Sequence, residues 1–270
     1  MMNLVIELTE LAIVFLGISA TTVGIVFFRT RRRVNRYYDD KKLRYFIQQQ
    51  VDYQHRVTGY ECLLRQQNQA NEWVLPQDLE HVPLQRVITL LTETFDHLPD
   101  TDPELYLSIN LSCEQIMSPE FDYFVRWAVS KIAPFHLAIE FHANRRPFWL
   151  QRRHFRQKIT AARAAEAKFV VDNVGSDKHE LRRIKWLLPV VDMIKCPMAQ
   201  FRKSTPEIWL DLNLQFWNRL TQEHHIELVL TGIESKQDEA LATQLKIKLR
   251  QGYLFDRPRD IQQPMKGTNQ

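Results

Sequence analysis

The chain reads as α/β: a closed, TIM-like (β/α)8 barrel with one antiparallel strand, preceded by a single N-terminal transmembrane helix. Three observations predict the barrel. From residue 45 onward, short apolar runs alternate with amphipathic segments, the pattern of a mostly parallel sheet with right-handed crossovers. About eight such runs fit into roughly 220 residues, compact but sufficient for the class. Many of the runs also end on an acid, an amide or a lysine, and a barrel builds its site at the carboxyl ends of its strands. The clearest is 168–175, Lys-Phe-Val-Val-Asp-Asn-Val-Gly. It reads as a strand buried on both faces that runs into Asp172 and Asn173, with Gly175 turning the chain.

Residues 11–28 are 18 residues without a charge, and 4–6 extend the run beyond Glu7 and Glu10. A bilayer core needs about 20 apolar residues, so this is a short but adequate span. Arg29, Arg31, Arg32, Arg33, Arg36, Lys41, Lys42 and Arg44 follow it, and the positive-inside rule places that flank and the barrel in the cytoplasm. A cleaved signal peptide would carry its positive charge before the apolar run, and none precedes it here. The organisation expected is therefore an anchor over 1–28, a basic juxtamembrane linker over 29–44, the barrel over 45–260 and a tail over 261–270. Ala20 and Gly24 form a small-xxx-small pair through which two such helices would make a homodimer.

Residues 1–44 balance to +4, as does the whole chain, so the barrel is neutral. That assigns the positive charge to the anionic inner leaflet of the cytoplasmic membrane and argues against a nucleic-acid polymer as partner. Cys62, Cys113 and Cys196 do not make a disulfide framework in a cytoplasmic domain. Cys62 and Cys196 each follow a polar strand-end residue, so they face away from it and serve packing.

In order, 45–51 and 57–64 read as strands joined by a short polar turn, hence antiparallel. Residues 76–96 are helical and 105–111 a strand. A helix over 113–132 ends before Pro134, and 137–141 is a strand. Residues 147–167, rich in alanine and arginine, form a helix leading into 168–175. A short helix over 178–188 is stopped by Pro189, and 190–196 is a strand. Residues 207–225 are helical, 227–230 a strand, 237–246 a helix and 252–255 the last strand.

At the strand ends stand Glu61, Asn110, Glu140, Asp172, Asn173, Lys195, Thr231 and Gln251. Three carboxylates, three amides and a lysine on one face suit a hard divalent cation such as Mg²⁺, Mn²⁺ or Ca²⁺ and not zinc. Here the chain resembles the EAL domains, a family of cyclic di-GMP phosphodiesterases and receptors, over about residues 45–258. Gly59-Tyr60-Glu61-Cys62-Leu63-Leu64-Arg65 is similar to the name-giving motif, with Cys62 in place of alanine. Val51-Asp52 with Thr58-Gly59 resembles the preceding hairpin, and Gln251-Gly252-Tyr253-Leu254-Phe255-Asp256-Arg257-Pro258 the closing motif.

The resemblance implies a barrel of EAL type and assigns roles. Glu61, Asn110, Glu140 and Asp172 match ligands of a first metal, and Lys195 and Gln251 the catalytic lysine and glutamine at the water and the second metal. Arg65 matches a phosphate-binding arginine and Leu63 a residue under the guanine; Asn110, Gln251 and Pro258 complete the ligand set. Departures fall on the chemistry. Asn173 stands for the second aspartate of the Asp-Asp-Phe-Gly motif, Val174 for its phenylalanine, Thr231 for the first glutamate of Glu-Gly-Val-Glu, and Ala143 for a loop-bracing glutamate. Loss of two carboxylates leaves one Mg²⁺ or Mn²⁺ held and the second site impaired, so grip on the nucleotide outlasts turnover. The reading is a membrane-anchored, catalytically degenerate EAL domain that binds cyclic di-GMP and signals to an effector protein. The alternatives are an active or weakly active phosphodiesterase, with Glu234 or Glu227 standing in for Thr231, and a nucleotide-independent interaction scaffold.

Overall fold

Alternation of strand and helix builds a sheet that closes on itself. The computed structural model describes residues 42–262, except 77–80, 99–103, 143–146, 178 and 203–212. The expected span over 11–28, most of its basic flank, Ala143 and nearly all of the tail thus lie outside the described residues. Among the described residues no helix is long and apolar enough to cross a membrane.

The strands are β1 (Leu43–Val51), β2 (Val57–Gln67), β3 (Trp73–Val74), β4 (Tyr106–Asn110), β5 (His136–His142), β6 (Lys168–Asp172), β7 (Met193–Pro197), β8 (Glu227–Thr231) and β9 (Leu249–Arg250). The helices are α1 (Leu84–Phe95), α2 (Cys113–Met117), α3 (Phe121–Ile132), α4 (Arg152–Ala164), α5 (Glu180–Ile184), α6 (Leu214–Glu223) and α7 (Lys236–Gln244). Strand order runs β1-β9-β8-β7-β6-β5-β4-β2, and β1 also pairs with β2, which closes an eight-stranded barrel; β3 is a hairpin added to β2. β1 is antiparallel to both neighbours and every other barrel pairing is parallel. Because Leu43 pairs with Gln66, the chain enters the barrel at its mouth, where the parallel strands end.

β5, β6 and β7 are buried almost throughout, as expected where helices cover one face and the barrel interior the other. Three of these helices, α2, α6 and α7, start at side-chain caps. Ser112 and Ser235 form capping boxes with Gln115 and Asp238, and the Asn213 side chain accepts from the amide of Phe216.

Four sequence expectations are corrected. The helix over 113–132 is two, because Pro119 forces Ser118 into an extended conformation (φ −70°, ψ 154°). The last strand is Leu249–Arg250, and 252–255 is a turn: a Cβ on Gly252 would collide with the Ile233 backbone, and Leu254 and Phe255 bond to Ile233 and Gly252. The strand at 168 ends at Asp172, and Asn173, at φ +60°, turns the chain rather than Gly175. Glu227 begins β8, at the end of the barrel remote from Thr231, so it does not replace the carboxylate missing at 231; Glu234 lies exposed three residues beyond it.

Candidate functional site

Period-two side-chain alternation delivers the inward residues of β2, β5 and β7 to one polar cluster. Glu61 Oε1 accepts a hydrogen bond from Asn110 Nδ2 at 2.8 Å. Its Oε2 accepts from Lys195 Nζ and from Gln251 Nε2, each at 2.8 Å. Lys195 also ion-pairs with Glu140 Oε1, and Gln251 Nε2 reaches Gln48 Oε1 at 3.0 Å. Glu140 is 0% and Lys195 2% exposed, so this ionic cluster lies in the interior. Cys62 and Cys196 are buried behind it, as their positions predict, with burial pushing both thiols up.

The two glutamates share a lysine yet titrate apart. Burial pushes Glu140 up to about 8, reinforced by Glu61 and only partly relieved by Lys195. Burial acts the same way on Glu61, but Lys195, Gln251 and Asn110 more than offset it and hold the carboxyl below its ordinary value. Lys195 is lowered by burial itself, and Glu140, Glu61 and Asp172 override this and raise it. Asp172, half-buried across from His142, is raised mainly by burial.

The donors suit a hard cation. They are oxygens, they outnumber the local positive charge, and Glu140 Oε2 is buried with no hydrogen-bond partner. Yet among the described residues no three His, Cys, Asp or Glu side chains gather as a ready cation cage. The Lys195 ammonium sits between Glu61 and Glu140 and offsets part of their charge itself.

Asn173 stands at the end of β6 and has a different set of partners. Its Nδ2 lies 2.9 Å from His142 Nε2, and its Oδ1 accepts from Gln200 Nε2 at 2.6 Å. Both ends of the amide are thus engaged by protein side chains. The loop that follows is held by Val174 N to Lys195 O (3.0 Å), Trp217 Nε1 to Gly175 O (2.9 Å) and Ser176 Oγ to Gln200 O (2.8 Å). Thr231 ends β8 half-buried, opposite Pro197, with no hydrogen bond to its hydroxyl among the described residues.

Leu63, Arg65 and Asn110 line a cavity of about 210 Å³ at the mouth, together with His142 and Phe141. Arg65 is half-buried and donates to Leu64 O at 3.0 Å, which leaves most of its guanidinium hydrogens uncommitted. Gln251 lies deeper, in the ionic cluster, and Pro258 is half-buried outside that cavity. Sequence reading had no part for Gln48, His142 and Gln200. The signal for Gln48 was a run of three glutamines, Gln48–Gln50, closing a strand that begins largely apolar; for Gln200 there was none.

The EAL domain model matches residues 31–258. No curated protein matches the chain. Among solved structures, the EAL enzyme Bd1971 in its cAMP- and cyclic-di-GMP-bound form superposes with a TM-score of 0.68 at 18% identity, over 91% of this chain and 70% of that one. Bacillus subtilis YkuI, a protein with an EAL domain in complex with substrate c-di-GMP and calcium, gives 0.65 at 19%, over 80% and 55%. The FimX EAL domain of Pseudomonas aeruginosa, bound to c-di-GMP, gives 0.62 at 15%, over 87% and 96%. The barrel with one antiparallel strand, the residues at its strand ends and a family match across most of the sequence agree: the chain belongs to the EAL domain family.

Proposed function

We propose that the protein is a membrane-anchored, catalytically degenerate EAL domain that binds cyclic di-GMP through the barrel mouth and signals to an effector protein. The observation that carries this is the state of position 173. Two-metal phosphodiester hydrolysis needs two cations clamping the phosphoryl oxygens, and here the residue at the second position is a neutral amide engaged with His142 and Gln200. Glu61, Asn110, Glu140 and Asp172 would hold one Mg²⁺ or Mn²⁺, which when bound supplies charge to a ligand phosphate. Around it Arg65 grips phosphate, Leu63 underlies a base, Pro258 borders the ligand, and Lys195 and Gln251 hold Glu61 in place.

Calorimetric titration of residues 40–270 with cyclic di-GMP, with and without Mg²⁺, tests the reading. Arg65→Ala is expected to weaken binding about tenfold or more, since a hydrogen bond to a charged group contributes roughly 1.5–3 kcal/mol. Absence of binding by the wild type at micromolar protein would leave the nucleotide-independent scaffold.

The anchored part of the reading rests on the apolar run 11–28 and the arginines after it. It places the barrel in the cytoplasm beneath the inner leaflet and leaves helix pairing through Ala20 and Gly24 as the route to a homodimer. The protein is expected to fractionate with membranes and to resist high-salt extraction, while protease outside intact cells leaves the barrel uncut. Release by salt alone would show a peripheral, arginine-mediated attachment instead.

A further inference from the structure

The barrel is neutral as a whole, because the +4 of residues 1–44 accounts for the +4 of the chain, but its charge is unevenly placed. Helix α4 carries Arg152, Arg153, Arg156, Lys158 and Arg163 and no acid. Lys158 is paired with Asp122 and Arg163 with Asp192, and Arg152 lies over the Trp186 ring at 5.3 Å. Arg153 and Arg156 have no carboxylate partner among the described residues and border a shallow groove along the helix. Immediately before α4, Phe148, Trp149 and Leu150 are 62%, 64% and 64% exposed. Three consecutive large apolar side chains in water are costly unless something covers them.

We propose that Phe148–Leu150 and the Arg153/Arg156 end of α4 form a docking surface for an anionic phospholipid bilayer. The chemistry matches at each layer of a membrane interface. Tryptophan and phenylalanine favour headgroup depth, leucine the acyl boundary just below, and guanidinium groups the lipid phosphates. A second copy of the same surface fits poorly, because a two-fold contact would set these arginines against their own counterparts. A nucleic-acid polymer would need a longer basic track than two uncommitted arginines on a neutral domain.

The triplet lies on the connection leaving the carboxyl end of β5, so it stands on the mouth rim, the rim at which the chain enters through Leu43. Residues 29–42 span at most ~50 Å when extended. The proposal rests on the anchored reading for this proximity but not for its chemistry.

The test uses the full-length chain reconstituted into vesicles of phosphatidylcholine, alone or mixed with phosphatidylglycerol. Alkaline carbonate extraction reports the anchor. Quenching of tryptophan fluorescence by lipids brominated near the headgroup reports the surface, with Trp149→Phe isolating the contribution of Trp149. In phosphatidylglycerol vesicles the wild type is expected to be quenched measurably more than Trp149→Phe. Arg153→Glu/Arg156→Glu, at exposed sites and checked for an unchanged melting curve, is expected to weaken the bilayer contact on the order of tenfold and remove that excess. Equal quenching of wild type and Trp149→Phe, with the anchor resisting carbonate, would overturn the docking surface and leave the anchor standing. A blue-shifted Trp149 signal that grows with protein concentration in lipid-free detergent would overturn it in favour of a second copy.

Discussion

The wild-type protein is expected to leave cyclic di-GMP intact with Mg²⁺ or Mn²⁺, and the double variant Asn173→Asp, Thr231→Glu to cleave it. The two substitutions return the carboxylates that a second cation lacks. Each alone is expected to do little, since an ion held by half its ligands stays dissociated and groups acting as a unit are strongly non-additive. Together they are expected to raise turnover by at least about a hundredfold, the scale on which a single charge-stabilising group acts in a transition state. The new carboxylate at position 173 would still accept from Gln200, and His142 would switch to presenting its Nε2 hydrogen to the second oxygen. Trp217, Ser176 and Val174 hold the loop at Gly175, Gln200 and Lys195, and Ala143→Glu is the third substitution to add where the double variant stays silent. The assay is formation of the linear dinucleotide. Robust turnover by the wild type would sink the degenerate site outright. A silent double variant that still binds nucleotide would mean that the damage extends beyond these two positions.

Lys195→Met is expected to lower stability by about 3–5 kcal/mol, because it leaves two buried carboxylates without their counter-ion. For a barrel of this size that is a fall in melting temperature of roughly 10 °C. The pH dependence has a definite sign. Glu140 lies above its ordinary 4.5, at about 8, so below 4.5 it is protonated folded or unfolded and costs nothing. As pH rises from 4.5 to 8 the unfolded chain releases the proton that the folded chain keeps, and stability falls. Glu61, held below its ordinary value, loses its contribution only at pH below that value. Without Lys195 the decline between 4.5 and 8 is expected to steepen, and Mg²⁺ to recover part of it. Thermal melts across that range are the measurement; a variant melting within a degree or two of the wild type would show that the ammonium does not neutralise the pair.

The barrel was legible in the sequence because buried parallel strands are nearly continuous apolar runs, and 105–111, 137–141 and 190–196 could be little else. The strand-end residues were legible for the same reason: a Glu or Lys inside such a run has nowhere to go but the interior. Elements decided by tertiary contact were not. Gly252-Tyr253-Leu254-Phe255 has strand composition, and only the approach of the Ile233 backbone makes it a turn. The substitution at Asn173 was visible, but its partners were not, since His142 and Gln200 reach it from other elements across 31 and 27 residues. The cluster around Glu61 likewise depends on Lys195 and Gln251, 134 and 190 residues away.

The antiparallel strand β1 sets the order in which this barrel can be completed. β1 finds β2 at once, through a short turn, but its other edge must wait for β9 and for the segment that pins it. That segment follows β9: Asp256 accepts from Gln48 and Gln49, Arg259 exchanges backbone hydrogen bonds with Ile47, and Asp260 holds Arg44. During synthesis, the first hairpin therefore emerges with one open edge and its glutamines unsatisfied until residues 256–260 have left the ribosome. Loop closure over some 200 residues, not local strand formation, is then the slow step of folding. A ribosome that stalls before Leu249 would release a chain that has helices α1 to α7 and no closed barrel.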